Sequence, residues 1–102
     1  MEPKSILVFG AHPDDLEIGM GGTIAKLSSM GYNVQPIIAT LPNFVKSDTK
    51  EGRKSESMLS AKVMGCESPI FLDLSPQEMV FGRNLVTLID SLITKNKPDS
   101  VF

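Results

Sequence analysis

The sequence is poor in the features that mark several classes of protein. Its 102 residues include a single cysteine, so no disulfide can form within the chain, which fits a reducing compartment. No run approaches the roughly 20 apolar residues that cross a bilayer, and the start lacks the apolar core of a signal peptide. The net charge of -2 argues against a surface for nucleic acid or anionic membrane, because such surfaces need clustered positive charge. These absences predict a cytoplasmic protein without a nucleic-acid partner or a transmembrane segment.

Short apolar runs alternate with amphipathic segments along the whole sequence. The runs have the pattern of strands buried on both faces, and they cover Ser5–Gly10 and residues 33–40, 69–74 and 99–102. The segments between them have the spacing of helices, and they cover residues 19–30, Lys50–Met64 and residues 83–95. The order β-α-β-α-β-α-β requires a parallel sheet with right-handed crossovers. We therefore predict a three-layer α/β/α, Rossmann-like fold, in which Pro36 is an unfavourable residue for the second strand.

The end of the sequence falls inside the fourth predicted strand. A domain seldom ends in this way, so we expect residues 1–102 to be the N-terminal part of one domain, truncated after that strand. The unpaired edge of such a strand favours pairing with another chain. We therefore expect a homo-oligomer, or an association with the C-terminal remainder of the same protein.

The loop after the first strand carries the clearest chemistry. Ligands of parallel α/β sheets collect beyond the carboxyl ends of the strands, and His12, Asp14 and Asp15 lie there. Imidazole and carboxylate are ordinary zinc ligands, so His12 and Asp15 are candidates for two of the three protein ligands of a catalytic site. Asp14 is a candidate for accepting a proton from attacking water. Glu17 is a candidate for holding the His12 ring or ordering the turn. Zn²⁺ is the favoured metal, although Fe²⁺, Mn²⁺ or Co²⁺ also suits such a site.

Simpler interpretations of this loop stay open. Two acids before a helix often only cap its N-terminus, and a lone histidine in a loop is usually a surface residue. Nucleotide binding is disfavoured, because the loop lacks the pattern G-x-G-x-x-G and Pro13 removes an N–H that a phosphate needs. Three glycines that follow, Gly19, Gly21 and Gly22, are expected to open the first helix and to let its backbone approach closely.

Taken as one string, residues 11–23 (AHPDDLEIGMGGT) closely resemble the signature of the PIG-L/LmbE-like deacetylases. These are metal-dependent N-deacetylases that act mostly on molecules containing N-acetylglucosamine. The likeness extends to the second helix, through Arg53, Glu56, Ala61 and Gly65, and to the fourth strand. It implies that His12 and Asp15 bind the metal, that Asp14 is the general base and that Arg53 reaches a small N-acetylated sugar conjugate. A plain surface charge on an exposed helix is an equally good interpretation of Arg53.

The histidine content departs from the family. The family takes its third metal ligand from a histidine just after the fourth strand, whereas this sequence has one histidine in total. We therefore expect the third ligand to come from outside these 102 residues. Two alternatives to an N-deacetylase stay open: a folded, non-catalytic assembly module, and a related metal hydrolase that acts on another amide or ester.

Overall fold

A four-stranded parallel sheet organises the chain in the computed structural model, which describes residues 4–41, 49–75 and 77–102. The strands and helices follow one another as β1 (Ser5–Gly10), α1 (Asp15–Ser29), β2 (Asn33–Ile38), α2 (Lys50–Met64), β3 (Ile70–Phe71), α3 (Arg83–Asn96) and β4 (Ser100–Val101). Every adjacent pair of strands is parallel. The predicted α/β fold is therefore confirmed.

The strand order in the sheet is β3-β2-β1-β4. The chain moves outward from β1 to β3 and then returns across the sheet to β4. Right-handed crossovers accordingly lay α1 and α2 on one face of the sheet and α3 on the other, which gives three layers. The reversal occurs at β1, so the carboxyl end of β1 opens onto the crevice where such sheets bind ligands.

The core lies on both faces of β1 and β2. Ile6 and Val8 of β1 face α1 and form a buried cluster with Leu16, Ile24 and neighbours on β2. The alternate residue Leu7 points to the other face and is fully buried. Each such side chain stabilises the fold by about 1.5–3 kcal/mol. Helix α3 is different, because none of its residues is buried in spite of its clear apolar stripe.

Pro36 is accommodated inside β2 because β3 begins beyond it. The ladder between β2 and β3 starts where Ile37 faces Ile70, so the missing N–H of Pro36 breaks no strand pairing with β3. The side chain of Gln35 takes over part of the connection, since its amide donates to the carbonyls of Pro36 and Ser68, at 2.9 Å each.

The predicted start of the first helix was wrong. Helix α1 begins at Asp15, where the N–H of Ile18 donates to the carbonyl of Asp14 and buried Leu16 anchors the first turn. The three glycines lie inside this helix rather than opening it. A Cβ added at any of them meets no described atom within 4 Å, so no close approach of the backbone depends on them.

The remaining boundaries differ by a few residues. Strand β2 ends at Ile38, β3 and β4 are two residues long, and α3 extends to Asn96. Residues 41–49, which connect the second predicted strand to the second predicted helix, fall largely on 42–48, which lie outside the described residues. Within the described ranges, the helices are all too short or too polar to cross a membrane.

Candidate metal centre

The segment from His12 to Asp15 is a β-turn between β1 and α1. The N–H of Asp15 donates to the carbonyl of His12 at 3.3 Å, with Pro13 and Asp14 as the central residues. Asp14 has φ 81° and ψ -24°, the values of the third residue of a type II turn, and proline is common before it. Pro13 is buried, whereas His12, Asp14 and Asp15 are exposed. Buried Pro13 therefore anchors the turn, and its three polar residues are exposed to solvent.

The turn brings His12 and Asp15 together. The Nδ1 atom of His12 lies 3.6 Å from Oδ2 of Asp15, and both side chains are 46% exposed. Ligand atoms bound at 2.0–2.2 Å to one tetrahedral zinc ion lie about 3.3–3.6 Å apart. The pair therefore fits two neighbouring positions around such a metal. Within residues 4–41, 49–75 and 77–102, no group of three histidine, cysteine or acidic side chains could hold a metal ion.

Asp14 and Asp15 differ in their hydrogen bonds. The Oδ2 atom of Asp15 accepts from the backbone N–H of His12 at 2.9 Å, which closes the turn. Asp14 occupies the N-cap position of α1, yet its side chain makes no capping hydrogen bond. A capping hydrogen bond therefore does not explain why the chain carries an acid at position 14, an exposed position of the turn between the two candidate ligands His12 and Asp15.

Thr40, at the carboxyl end of β2, supports the start of this loop. Its N–H and its Oγ1 both donate to the carbonyl of Ala11, at 2.9 and 2.7 Å, and the residue is 8% exposed. The next rung of the same connection runs from the N–H of Ala39 to the carbonyl of Gly10. Sequence reasoning missed Thr40; the available signal was a hydroxyl residue at the end of an apolar strand.

A cleft of about 650 Å³ opens in front of the turn. Ala11 and His12 line one side, and residues of the β3–α3 connection line the other. There Lys50 Nζ donates to Asp73 Oδ2 at 3.0 Å. Asp73 has φ 51°, a left-handed conformation that few residues other than glycine, asparagine and aspartate adopt. Sequence reasoning missed this pair, because its partners are 23 residues apart and share no local pattern.

Arg53 lies one turn beyond Lys50 on α2. Its backbone N–H donates to the carbonyl of Thr49, its side chain is half-buried, and its Nε atom is buried. The described lining of the cleft includes Lys50 rather than Arg53. The role of Arg53 in substrate binding therefore stays a prediction.

Glu17 lies on the first turn of α1. Its Oε2 atom is buried and has no hydrogen-bond partner among the described residues. Burial raises the pKa of the Cys66 thiol, and a backbone hydrogen bond partly offsets this rise. The negative charges of Glu17 and Glu67 also raise the pKa. Glu17 is thus close to Cys66, and its predicted hold on the His12 ring stays a prediction.

Comparisons with known proteins identify the family. The family described as PIG-L: GlcNAc-PI de-N-acetylase matches residues 7–102. The chain belongs to this family. The chain is 30% identical over 99 residues to the uncharacterized deacetylase YaiS of Escherichia coli K12. The match covers 96% of the chain and 53% of that relative. The chain is also 30% identical over 106 residues to the diacetylchitobiose deacetylase of Thermococcus kodakarensis, covering 97% of the chain and 40% of that relative.

A solved structure shows the same fold. The N,N'-diacetylchitobiose deacetylase of Pyrococcus horikoshii, complexed with an inhibitor, superposes with a TM-score of 0.85 at 32% identity. The match covers 97% of this chain and 40% of the Pyrococcus horikoshii protein. The chain therefore spans about half, or less, of the length of the relatives that it matches.

Proposed function

We propose that the protein is a metal-dependent hydrolase that removes an acetyl group from an N-acetylglucosamine-type substrate. The observation that carries the proposal is the convergence of His12 Nδ1 and Asp15 Oδ2 within 3.6 Å, inside a string that resembles the signature of a deacetylase family. Relatives that are named diacetylchitobiose deacetylases support the substrate class.

His12 and Asp15 would hold the metal through one imidazole nitrogen and one carboxylate oxygen. When bound, a divalent metal such as Zn²⁺ supplies a Lewis acid that polarises an amide carbonyl and activates water. A third ligand from outside the described residues would complete the three protein ligands of a catalytic site. Fe²⁺, Mn²⁺ and Co²⁺ are further candidates for this mixed nitrogen and oxygen pair.

Asp14 would act as the general base. The residue is exposed, lies between the two candidate ligands in the same turn, and its carboxylate makes no capping hydrogen bond to α1. In this role it accepts a proton from the attacking water and later delivers it to the departing amine. The amide bond breaks, and acetate and a free amine leave the cleft.

The test is a substitution of the base that preserves shape. In the protein expressed from its complete reading frame, Asp14→Asn should lower kcat for acetate release from N,N'-diacetylchitobiose by about 10²- to 10⁴-fold. Bound metal, measured by elemental analysis, should remain. Asp90→Asn, which alters an exposed acid of α3, is the matched control and should retain full turnover.

The possible outcomes distinguish the N-deacetylase from the two alternative functions. Unchanged turnover by Asp14→Asn rejects Asp14 as the base. Hydrolysis of other amides or esters, with N-acetylglucosamine conjugates left intact, favours a related metal hydrolase. A protein that binds no metal and hydrolyses none of these substrates favours the non-catalytic module.

A further inference from the structure

The backbone of Asp14 has a left-handed conformation, which few residues other than glycine adopt. The third position of a type II turn requires a positive φ, so glycine or asparagine usually occupies it. Here an aspartate holds that position at φ 81°. An ordinary L-residue in the left-handed region costs about 1–2 kcal/mol, and aspartate is among the few that tolerate it.

The turn at Asp14 determines where the two neighbouring side chains point. It folds the chain back so that the N–H of Asp15 meets the carbonyl of His12, and the N–H of His12 meets Oδ2 of Asp15. These two hydrogen bonds hold Nδ1 of His12 near the same carboxylate oxygen. An extended residue at position 14 would direct the chain onward, and the two ligand atoms would separate.

We infer that Asp14 has two separable roles: its left-handed backbone positions His12 and Asp15 for a metal, and its carboxylate handles the proton. The first role belongs to the backbone conformation alone and rests on the proposed metal site. Glycine would satisfy the turn better than aspartate but would carry no base. The aspartate is therefore the residue that serves both needs at one position.

Three substitutions at position 14 separate the roles. Gly has no carboxylate but adopts a positive φ freely, Asn adopts it readily, and Ala has no carboxylate and resists it. We expect Asp14→Gly and Asp14→Asn to bind Zn²⁺ within about threefold of the unsubstituted protein, measured by competition with a chromophoric chelator. Asp14→Ala should bind more weakly than Asp14→Gly, by up to about thirtyfold. That limit is the strain above converted at a factor of ten per 1.4 kcal/mol, and it applies to the part of the strain that the metal-free turn releases by relaxing. All three variants should lose deacetylation.

Thermal unfolding of the metal-free protein tests the same backbone role without a metal. Asp14→Ala should melt below Asp14→Gly by about 4–8 °C, because alanine is incompatible with a positive φ. Gly22 provides the matched control: it is exposed inside α1, and an added Cβ meets no described atom within 4 Å. There Gly22→Ala should raise the melting temperature, so the preference for glycine over alanine reverses between the two positions.

Two results would overturn the inference. One is Zn²⁺ binding by Asp14→Ala as tight as that of Asp14→Gly; the other is a melting temperature of Asp14→Ala equal to or above that of Asp14→Gly. A protein that binds no Zn²⁺ in any form contradicts the proposed function and the metal-positioning role together. The melting comparison still decides whether the turn depends on a left-handed residue 14.

Discussion

The two sides of the cleft are built in opposite ways. On the motif side, four consecutive residues, His12 to Asp15, form a turn that is closed by hydrogen bonds within itself. On the facing side, Lys50 from α2 and Asp73 from the end of β3 meet in one exposed ion pair between distant segments. The turn from His12 to Asp15 is a product of local chain geometry, whereas the Lys50–Asp73 ion pair depends on how α2 and β3 pack.

This difference predicts a division of labour. A self-contained turn keeps its shape when its surroundings change, which suits a metal site that tolerates little displacement of its ligands. The exposed Lys50–Asp73 ion pair of the facing side contributes little to stability and can rearrange around a substrate. We therefore expect substitutions on the two walls to affect different measurements.

The largest effect is expected at the motif wall. His12→Ala removes one of the two candidate ligands and should weaken Zn²⁺ binding by more than about a hundredfold, which exceeds the effect of losing a supporting hydrogen bond to a ligand. Lys50→Gln, on the facing wall, should leave Zn²⁺ affinity unchanged. Comparable losses in both variants, measured by competition titration, would show that the walls do not act separately.

The next effect belongs to the facing wall and to substrate binding. Asp73→Asn keeps a residue that tolerates a positive φ but removes the charge that pairs with Lys50. We expect the KM for an N-acetylglucosamine conjugate to rise about two- to tenfold in this variant and in Lys50→Gln, with kcat nearly unchanged. Lys62→Gln, an exposed position elsewhere on α2, serves as control. A fall in kcat at constant KM would place the pair in the chemistry instead.

A smaller effect is expected where β2 supports the motif wall. Thr40→Val removes the hydroxyl that donates to the carbonyl of Ala11 and leaves the backbone hydrogen bond in place. The free energy of unfolding should fall by about 1 kcal/mol, measured in urea. Thr40→Ser keeps the hydroxyl and should lose less. Equal losses in the two variants would assign the effect to packing rather than to the hydrogen bond.

The smallest effect concerns pH. The backbone N–H and the hydroxyl of Ser75 lower the pKa of Glu78, an exposed residue of the facing wall, below the ordinary value of 4.5. A depressed pKa in the folded state adds stability above pH 4.5, and that stability is lost as the pH falls through the folded pKa. Glu78→Gln should therefore be slightly less stable than the unsubstituted protein at pH 7, and the difference should disappear once the pH lies below the folded pKa of Glu78. A difference in stability that does not shrink as the pH is lowered contradicts this account.

The same contrast explains how much the sequence could predict. Strand β1, helix α2 and the neighbourhood of His12 and Asp15 follow from local patterns, and the sheet that they build was predicted correctly. The left-handed conformation of Asp14 could also have been predicted, because a proline such as Pro13 is common just before the left-handed residue of a type II turn. The glycines of α1 predicted a later start than the structure has, because glycine is flexible at a helix end. The buried apolar residue Leu16 instead anchors the first turn.

The facing wall could not be predicted in this way. Lys50 and Asp73 meet only after α2 and β3 have packed, and nothing in their own neighbourhoods marks them as partners. Thr40 is likewise defined by a hydrogen bond to Ala11, 29 residues away. Local propensity carries no information on such pairs, since their geometry is set by the fold as a whole.

The shortness of β3 has a consequence for hydrogen exchange. Strand β2 pairs with β1 along its full length, but β3 pairs with β2 through a ladder only two residues long. The N–H of Glu67 extends this connection before β3, and beyond it the connection rests on two amides, the N–H groups of Leu72 and Leu74. Those two amides should therefore exchange with deuterium through local opening of the sheet margin, while Leu7 and Val8 exchange only on global unfolding. The sheet margin that leads to Asp73 is therefore expected to open more often than the centre of the sheet at β1.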